Sequence, residues 1–218
     1  MSSLEGQIDI GILSGWIPPS LIAARLAKFQ SRYPRIKVRL STLPQDGLES
    51  ELISEKLTFA VSADVFAGRA ANEFITIEAS GDMPLVAVAT AAYIAKHGPF
   101  ERPEKLLLAD VVEVGETYPI LTRWALSGDI GLQAVLTQTS PSLTVPDHDA
   151  ALSVIKSGHG WGFVPLSLAK TAIGNGGLKE IAVKPVAPTF KMQLLYRRKR
   201  TRSLADSVFL EFWLEEKP

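Results

Sequence analysis

The chain contains no cysteine, and its 23 basic side chains are balanced by 23 acidic ones, so the formal net charge is zero. Without thiols there is no disulfide framework, no thiolate nucleophile and no cysteine-based zinc site, which agrees with a reducing compartment. Without net charge there is no global field to hold a polyanion or an acidic membrane surface, so the chain is not expected to bind nucleic acid by itself. Histidine is scarce: 3 scattered copies offer no ligand spacing, and no metal or other cofactor is expected. No apolar run reaches the length of a membrane span, and Met1-Ser2-Ser3-Leu4-Glu5 lacks the basic start and apolar stretch of an export signal. The expectation is a protein that is neither exported nor membrane-bound, with the cytoplasm as its compartment.

What is present can build a core. With 218 residues, 46% of them hydrophobic, the length suits one or two domains of roughly 100 to 200 residues each. Glycine and proline are spread as punctuation rather than gathered in a linker, and there is no internal repeat, which predicts two lobes packed together. Strands alternating with helices predict an α/β class.

The first forty residues carry the clearest pattern. Ile8 to Leu13 reads as a buried strand, Ser14-Gly15-Trp16-Ile17-Pro18 as a turn, and Pro19 to Tyr33-Pro34 as a helix with Leu21, Ile22, Leu26 and Phe29 at helical spacing. A turn and a helix start at the carboxyl end of a strand form half of a ligand crevice, because amides and the positive end of the helix dipole point into it. Ile36 to Leu40 alternates as a second strand, Pro44-Gln45-Asp46-Gly47 makes a second turn, Glu49 to Lys56 a short helix, and Phe59-Ala60-Val61 a third strand.

Phe74 to Ile77 and Leu85 to Ala89 follow as strands around the turn Ser80 to Pro84, where a crossing into the second lobe is expected. That lobe reads as a strand at Val111 to Val114, the turn Gly115-Glu116-Thr117-Tyr118-Pro119 and a helix from Ile120 to about Leu126. After Ser142 to Val145 comes a helix over Asp147 to Ser157, capped by Asp147 or Asp149, then a glycine turn and a very short strand ending at Pro165. Phe190 to Tyr196 is a strand and Ser203 to Leu214 a closing helix, both suited to return to the first lobe.

Gly6-x-Ile8-x-Ile10-Gly11, Leu21, Leu26, Phe29, Tyr33-Pro34, Leu48, Leu52, Phe59-Ala60-Val61, His97-Gly98-Pro99, Leu107-x-Ala109-Asp110 and the stretch Asp149 to Pro165 occur in an order that resembles the effector-binding domain of LysR-type transcriptional regulators. The resemblance implies two Rossmann-like lobes of the type 2 periplasmic-binding-protein kind, joined by two crossover strands: residues 1–84 with 187–218, and residues 85–186. It also implies a small-molecule effector held between the lobes and a homodimer formed through a first-lobe and a second-lobe helix, with a tetramer open to the intact protein. DNA would be bound only through an N-terminal winged helix-turn-helix that this chain lacks. Thr58, where the family usually has aspartate, and the large Trp16 and Trp161 depart from the pattern.

In the first lobe, Ser14, Gly15 and Trp16 are the favoured contacts, offering a hydroxyl, amides at a helix start and an indole face to a carboxylate. The alternative is an ordinary turn in which Ser14 caps the helix. Gln45 adds an amide at the second turn or is an exposed turn residue. From the second lobe, Glu116, Thr117 and His148 are expected to face the effector, with Thr117 the better polar contact and His148 the better charge partner, unless His148 is a satisfied structural side chain. Phe163, Val164 and Pro165 wall the pocket or are plain core.

No catalytic pattern stands out. Ser153-x-x-Lys156 and Ser167-x-x-Lys170 lack the companion motifs of enzymes that use S-x-x-K, and Gly158, Gly160 and Gly162 do not make a dinucleotide-binding fingerprint because position 163 is Phe. No enzyme is expected. A transport solute-binding protein of the same fold is the alternative function. Arg197-Arg198-Lys199-Arg200-Thr201-Arg202 is the one basic run, read as a solvated turn rather than a phosphate-binding patch.

Overall fold

A computed structural model of the chain describes residues 4–63, 71–77, 81–115 and 119–215. In chain order the elements are β1 (Gly6–Leu13), α1 (Pro19–Arg32), β2 (Ile36–Leu43), α2 (Gln45–Ile53), β3 (Phe59–Ala63), β4 (Phe74–Ile77), β5 (Asp82–Ala89), α3 (Ala91–His97) and α4 (Pro103–Leu107). They continue with β6 (Val112–Val114), α5 (Pro119–Leu126), α6 (Ile130–Leu136), β7 (Leu143–Val145), α7 (His148–Lys156), β8 (Trp161–Pro165), α8 (Leu166–Gly174), β9 (Lys179–Glu180), β10 (Thr189–Arg197) and α9 (Leu204–Glu215). Two compact units result, Met1–Asp82 with Phe190–Pro218, and Met83–Thr189.

In the first unit β1 is central, parallel to β2 from Gly6↔Ile36 to Leu13↔Leu43 and parallel to β3 around Gly11↔Ala60. β10 runs antiparallel to β3, and β4 also pairs with β10. A Cβ on Gly6 would lie 2.9 Å from Ala205 of α9, so the even positions Ile8, Ile10 and Ile12, all fully buried, face the α9 layer. On that layer Phe29 of α1 packs against Phe209 and Phe212 of α9 with ring centroids 5.1 and 5.2 Å apart. The opposite face leaves no room for a side chain at Gly11, where a Cβ would meet Leu48 at 2.4 Å and Leu57 at 2.6 Å. A reciprocal pair starts α9: Ser203 N donates to Asp206 Oδ2 at 3.0 Å and Asp206 N to Ser203 Oγ at 3.1 Å.

In the second unit β5 runs antiparallel to β8, from Leu85↔Pro165 to Ala89↔Trp161, and pairs with β9. β6 is parallel to β7, and Val111 bridges to Trp161. One face gathers Val86, Val88, Val112, Val114 and Val164 with Ala151, Ile155, Ala169 and Ala172 from α7 and α8. The alternate positions of β8 carry Trp161 and Phe163, whose rings meet Trp124 of α5 with centroids 6.1 and 5.3 Å away. Both indoles are hydrogen-bonded inside: Trp161 Nε1 donates to Leu106 O at 2.8 Å and Trp124 Nε1 to Pro185 O at 2.7 Å.

One expectation is corrected here. The second helix runs over Gln45–Ile53, so Pro44 and Gln45 open a helix instead of forming a turn; the Pro44 carbonyl accepts the Leu48 amide at 3.0 Å, and proline loses nothing at a helix start. Trp161 is fully buried in the second unit's aromatic core. The basic run is a largely exposed turn, as expected, but its arginines are held by specific partners. Arg197 pairs with Glu55 at 2.7 Å, Arg198 donates to the Asn72 and Phe74 carbonyls at 3.2 Å each, Arg200 lies 3.6 Å from Asp206, and Arg202 stands over the Tyr196 ring. These arginines stitch β10 to the segments around β4 and α2 and to the start of α9, a job that net sequence polarity does not reveal.

Candidate functional site

The turn after β1 is built by backbone bonding. Ser14 N donates to Leu43 O at 2.9 Å, extending the β1–β2 ladder past the strand end. Gly15 then takes φ 77°, the left-handed region that a side chain disfavours, and the Trp16 and Ile17 amides fold back on Leu13 O at 3.4 and 3.2 Å. Ile17, 1% exposed, anchors the turn in the core, and Pro18 precedes α1 with Pro19 in its first turn. Ser14 therefore does not cap the helix: the N-cap is Pro18, which gives no side-chain hydrogen bond. With no acidic residue in its first turn, α1 keeps the positive end of its dipole uncompensated by its own sequence.

Trp16 is half-buried, and its ring stands edge-on to Phe190, with centroids 5.0 Å apart and planes at 86°. That contact fixes one side of the indole within the first unit. Gln45 is the first residue of α2 and half-buried, but Asp46 in the same first turn already supplies a negative charge to that helix end. The Thr58 departure has a structural use: its Oγ1 accepts the Asp9 amide at 3.1 Å while its own amide donates to Asp9 O at 2.7 Å, tying β3 to β1.

In the second unit Gly115 has φ 78° and donates to Val145 O at 3.0 Å. Glu116 and Thr117 lie outside the described residues. His148 opens α7 and is 1% exposed, and its cap is Asp147, which accepts the Ala150 amide at 2.8 Å. Phe163 is 4% exposed within the aromatic core, Val164 is in the aliphatic cluster, and Pro165 is buried where β8 passes into α8. The structure brings Ser14, Gly15 and Trp16 together in one turn of the first unit, and sets His148 and Phe163 in the interior of the second.

One functional-type residue carries no sequence signal. Glu113, in the middle of β6, is 3% exposed, and its carboxylate accepts the Val114 amide at 3.0 Å and the Leu121 amide at 3.1 Å. Burial pushes its pKa up from an ordinary 4.5 to about 7, against the lowering effect of the two amides. A polar residue between two valines on a three-residue strand looks like an outward position, so only the packing of α5 over it reveals the burial. Among the described residues, no group of three or more His, Cys, Asp or Glu could hold a metal ion, and no helix is long and apolar enough to cross a membrane.

The chain thus has two α/β units, the first with a strand-to-helix turn that carries a half-buried indole. The LysR substrate binding domain model matches residues 2–218, and the chain belongs to that family. Its fold is similar to the regulatory domain of CrgA, a LysR-type transcriptional regulator from Neisseria meningitidis: 24% identity, 99% of this chain and 100% of that one, TM-score 0.76. It is similar as well to the regulatory domain of AphB in Vibrio vulnificus, at 17% identity over 97% and 100% of the two chains with TM-score 0.72. The effector domain of AmpR of Pseudomonas aeruginosa matches at 19% identity over 97% and 95%, with TM-score 0.65. A comparison with curated protein sequences gives no match.

Proposed function

We propose that this chain is the effector-sensing domain of a LysR-type bacterial transcriptional regulator, and that its effector is a small anionic metabolite received at the turn Ser14-Gly15-Trp16. The observation that supports the anion is the start of α1, which has neither an acidic first turn nor a side-chain cap. The half-buried Trp16 supplies an apolar face beside it. Glu116, Thr117 and His148 are the second unit's proposed contacts, Gln45 a further one from the first, and Phe163 and Pro165 the apolar support. No residue here is assigned a catalytic role.

An effector regulates only through unequal affinity for two arrangements of the protein. The arrangement it selects is proposed to be one of a homodimer packed through α1 and a second-unit helix, in the cytoplasm, with DNA bound through a part of the regulator outside this chain. A solute-binding protein serving transport is not favoured, since the family over residues 2–218 is a regulator's domain. A thermal-shift screen of small mono- and dicarboxylates tests the reading, because a ligand that binds only the folded chain raises its melting temperature. A saturable rise for one chemical class supports it, and a flat screen across carboxylates and phosphorylated metabolites would remove the anion from the proposal.

A further inference from the structure

Within the second unit, a cavity of about 490 Å³ lies between the α3–α4 segment and the stretch that begins with β9. Its deepest lining residues are Leu106 and Ile181, both buried and both pinned by hydrogen bonds. Leu106 O accepts the Trp161 indole N–H at 2.8 Å, and Ile181 N donates to Ala87 O at 2.8 Å. The half-buried Ile94, Phe100, Pro103 and Val183 form apolar walls. Glu101, Glu180 and Lys184, all exposed, bring charge to the mouth. A rigid apolar interior with a few charged groups at its opening has the composition of a small-molecule site.

The charges at the mouth select the occupant. Among the described residues, none of these three side chains forms an ion pair; the nearby Arg102 is engaged with Glu104 at 3.3 Å. Two carboxylates against one ammonium leave the opening acidic in a chain with no net charge. We propose that this cavity is a second ligand site, taking a small molecule with an apolar body and an ammonium group. The body packs on Phe100 and Val183, and the ammonium is held by Glu101 and Glu180. Lys184 separates two sources of that chemistry: an apolar α-amino acid also offers it a carboxylate, whereas a simple amine does not. No residue proposed to receive the anionic effector lines the cavity, so the two readings are independent.

The test uses three probes that share a phenyl body: phenethylamine, phenylalanine and phenylpropionate. In 15N NMR spectra of the whole chain, the two ammonium probes are expected to shift the Leu106 and Ile181 amides saturably, and phenylpropionate is expected to leave them in place. Glu101→Gln combined with Glu180→Gln should weaken both ammonium probes about fivefold, the upper end for an exposed ion pair. Ala182→Trp, a bulky change at an exposed lining residue, should block both. If Lys184→Met weakens phenylalanine alone, the occupant is an amino acid; if it weakens neither, the occupant is an amine, and either result supports the site. All these substitutions fall on exposed residues, and unchanged first-unit amide shifts confirm folding. Leu106 and Ile181 amides that ignore both ammonium probes, phenylpropionate bound as well as phenethylamine, or full affinity in the double glutamine variant would overturn the proposal. Trp16→Ala leaves these shifts unchanged, so the effector turn and this cavity can fail separately.

Discussion

The rings of Trp16 and Phe190 form a T-shaped pair, with centroids 5.0 Å apart and planes at 86°, joining the first turn of the chain to the strand that returns at its end. An edge-to-face pair contributes about 0.5–1.5 kcal/mol beyond area burial, enough to hold one side of the indole while the other side stays available.

Trp16 is therefore the tryptophan that solvent reaches. Trp124, Trp161 and Trp213 are each 0% exposed. Acrylamide is expected to quench a single tryptophan component, and Trp16→Phe should abolish that component while leaving the emission of the buried indoles. Quenching that survives Trp16→Phe unchanged would show that another indole is open.

Truncating a core indole should be far costlier than truncating Trp16. Trp213 packs on Phe209 at 5.6 Å and lies under the Arg25 guanidinium at 3.9 Å, with Arg25 also donating to the Trp213 carbonyl. Trp213→Ala is expected to cost about 3–5 kcal/mol, and Trp16→Ala no more than about 2 kcal/mol. Urea unfolding of both variants checks the order.

The arginines after β10 are structural, and their removal should register as lost stability. Arg198→Ala deletes two hydrogen bonds to backbone carbonyls and is expected to cost about 1–2 kcal/mol, or roughly 2–8 °C in melting temperature at this chain length. The exposed neighbour Lys199→Ala serves as the control and should fall within about 0.5 kcal/mol of the wild type. Equal effects would mean that the run is merely solvated.

Glu113 should leave a mark on stability against pH. Its folded pKa, about 7, lies above the ordinary 4.5, so between these values the folded state binds the extra proton. Stability from this group is complete below about 4.5 and is lost as pH rises through 7, up to ~3 kcal/mol for a shift of this size. In wild type minus Glu113→Gln stability, measured by denaturant melts from pH 5 to 8.5, the difference should decline with rising pH. A difference that is constant or grows toward alkaline pH contradicts the assignment.

Much of the chain was legible before its coordinates. Buried strands such as Ile8 to Leu13 and Phe59 to Val61 announce themselves by apolar runs, and α7 by a capping aspartate before an amphipathic stretch. The short helices α3 and α6 were not, because Tyr93 and Leu132 are their only described buried residues and leave no apolar stripe to read. Their caps were visible: Thr90 accepts the Tyr93 amide and Asp129 the Leu132 amide. At the candidate site, the turn at Ser14 to Trp16 follows from strand, glycine and proline order, whereas Glu113 depends on a helix folded over a strand, a relation between residues 113 and 121 that linear spacing does not encode.

The central claim is that the turn after β1 receives a small anionic effector. The most direct measurement is isothermal titration of the wild type, Ser14→Ala and Trp16→Ala with the carboxylate that gives the largest thermal shift in the screen. The account predicts saturable binding to the wild type and affinities weaker by about tenfold or more in both variants, the loss of one contact to a charged group. Wild-type affinity retained in both variants would place the effector elsewhere and contradict it.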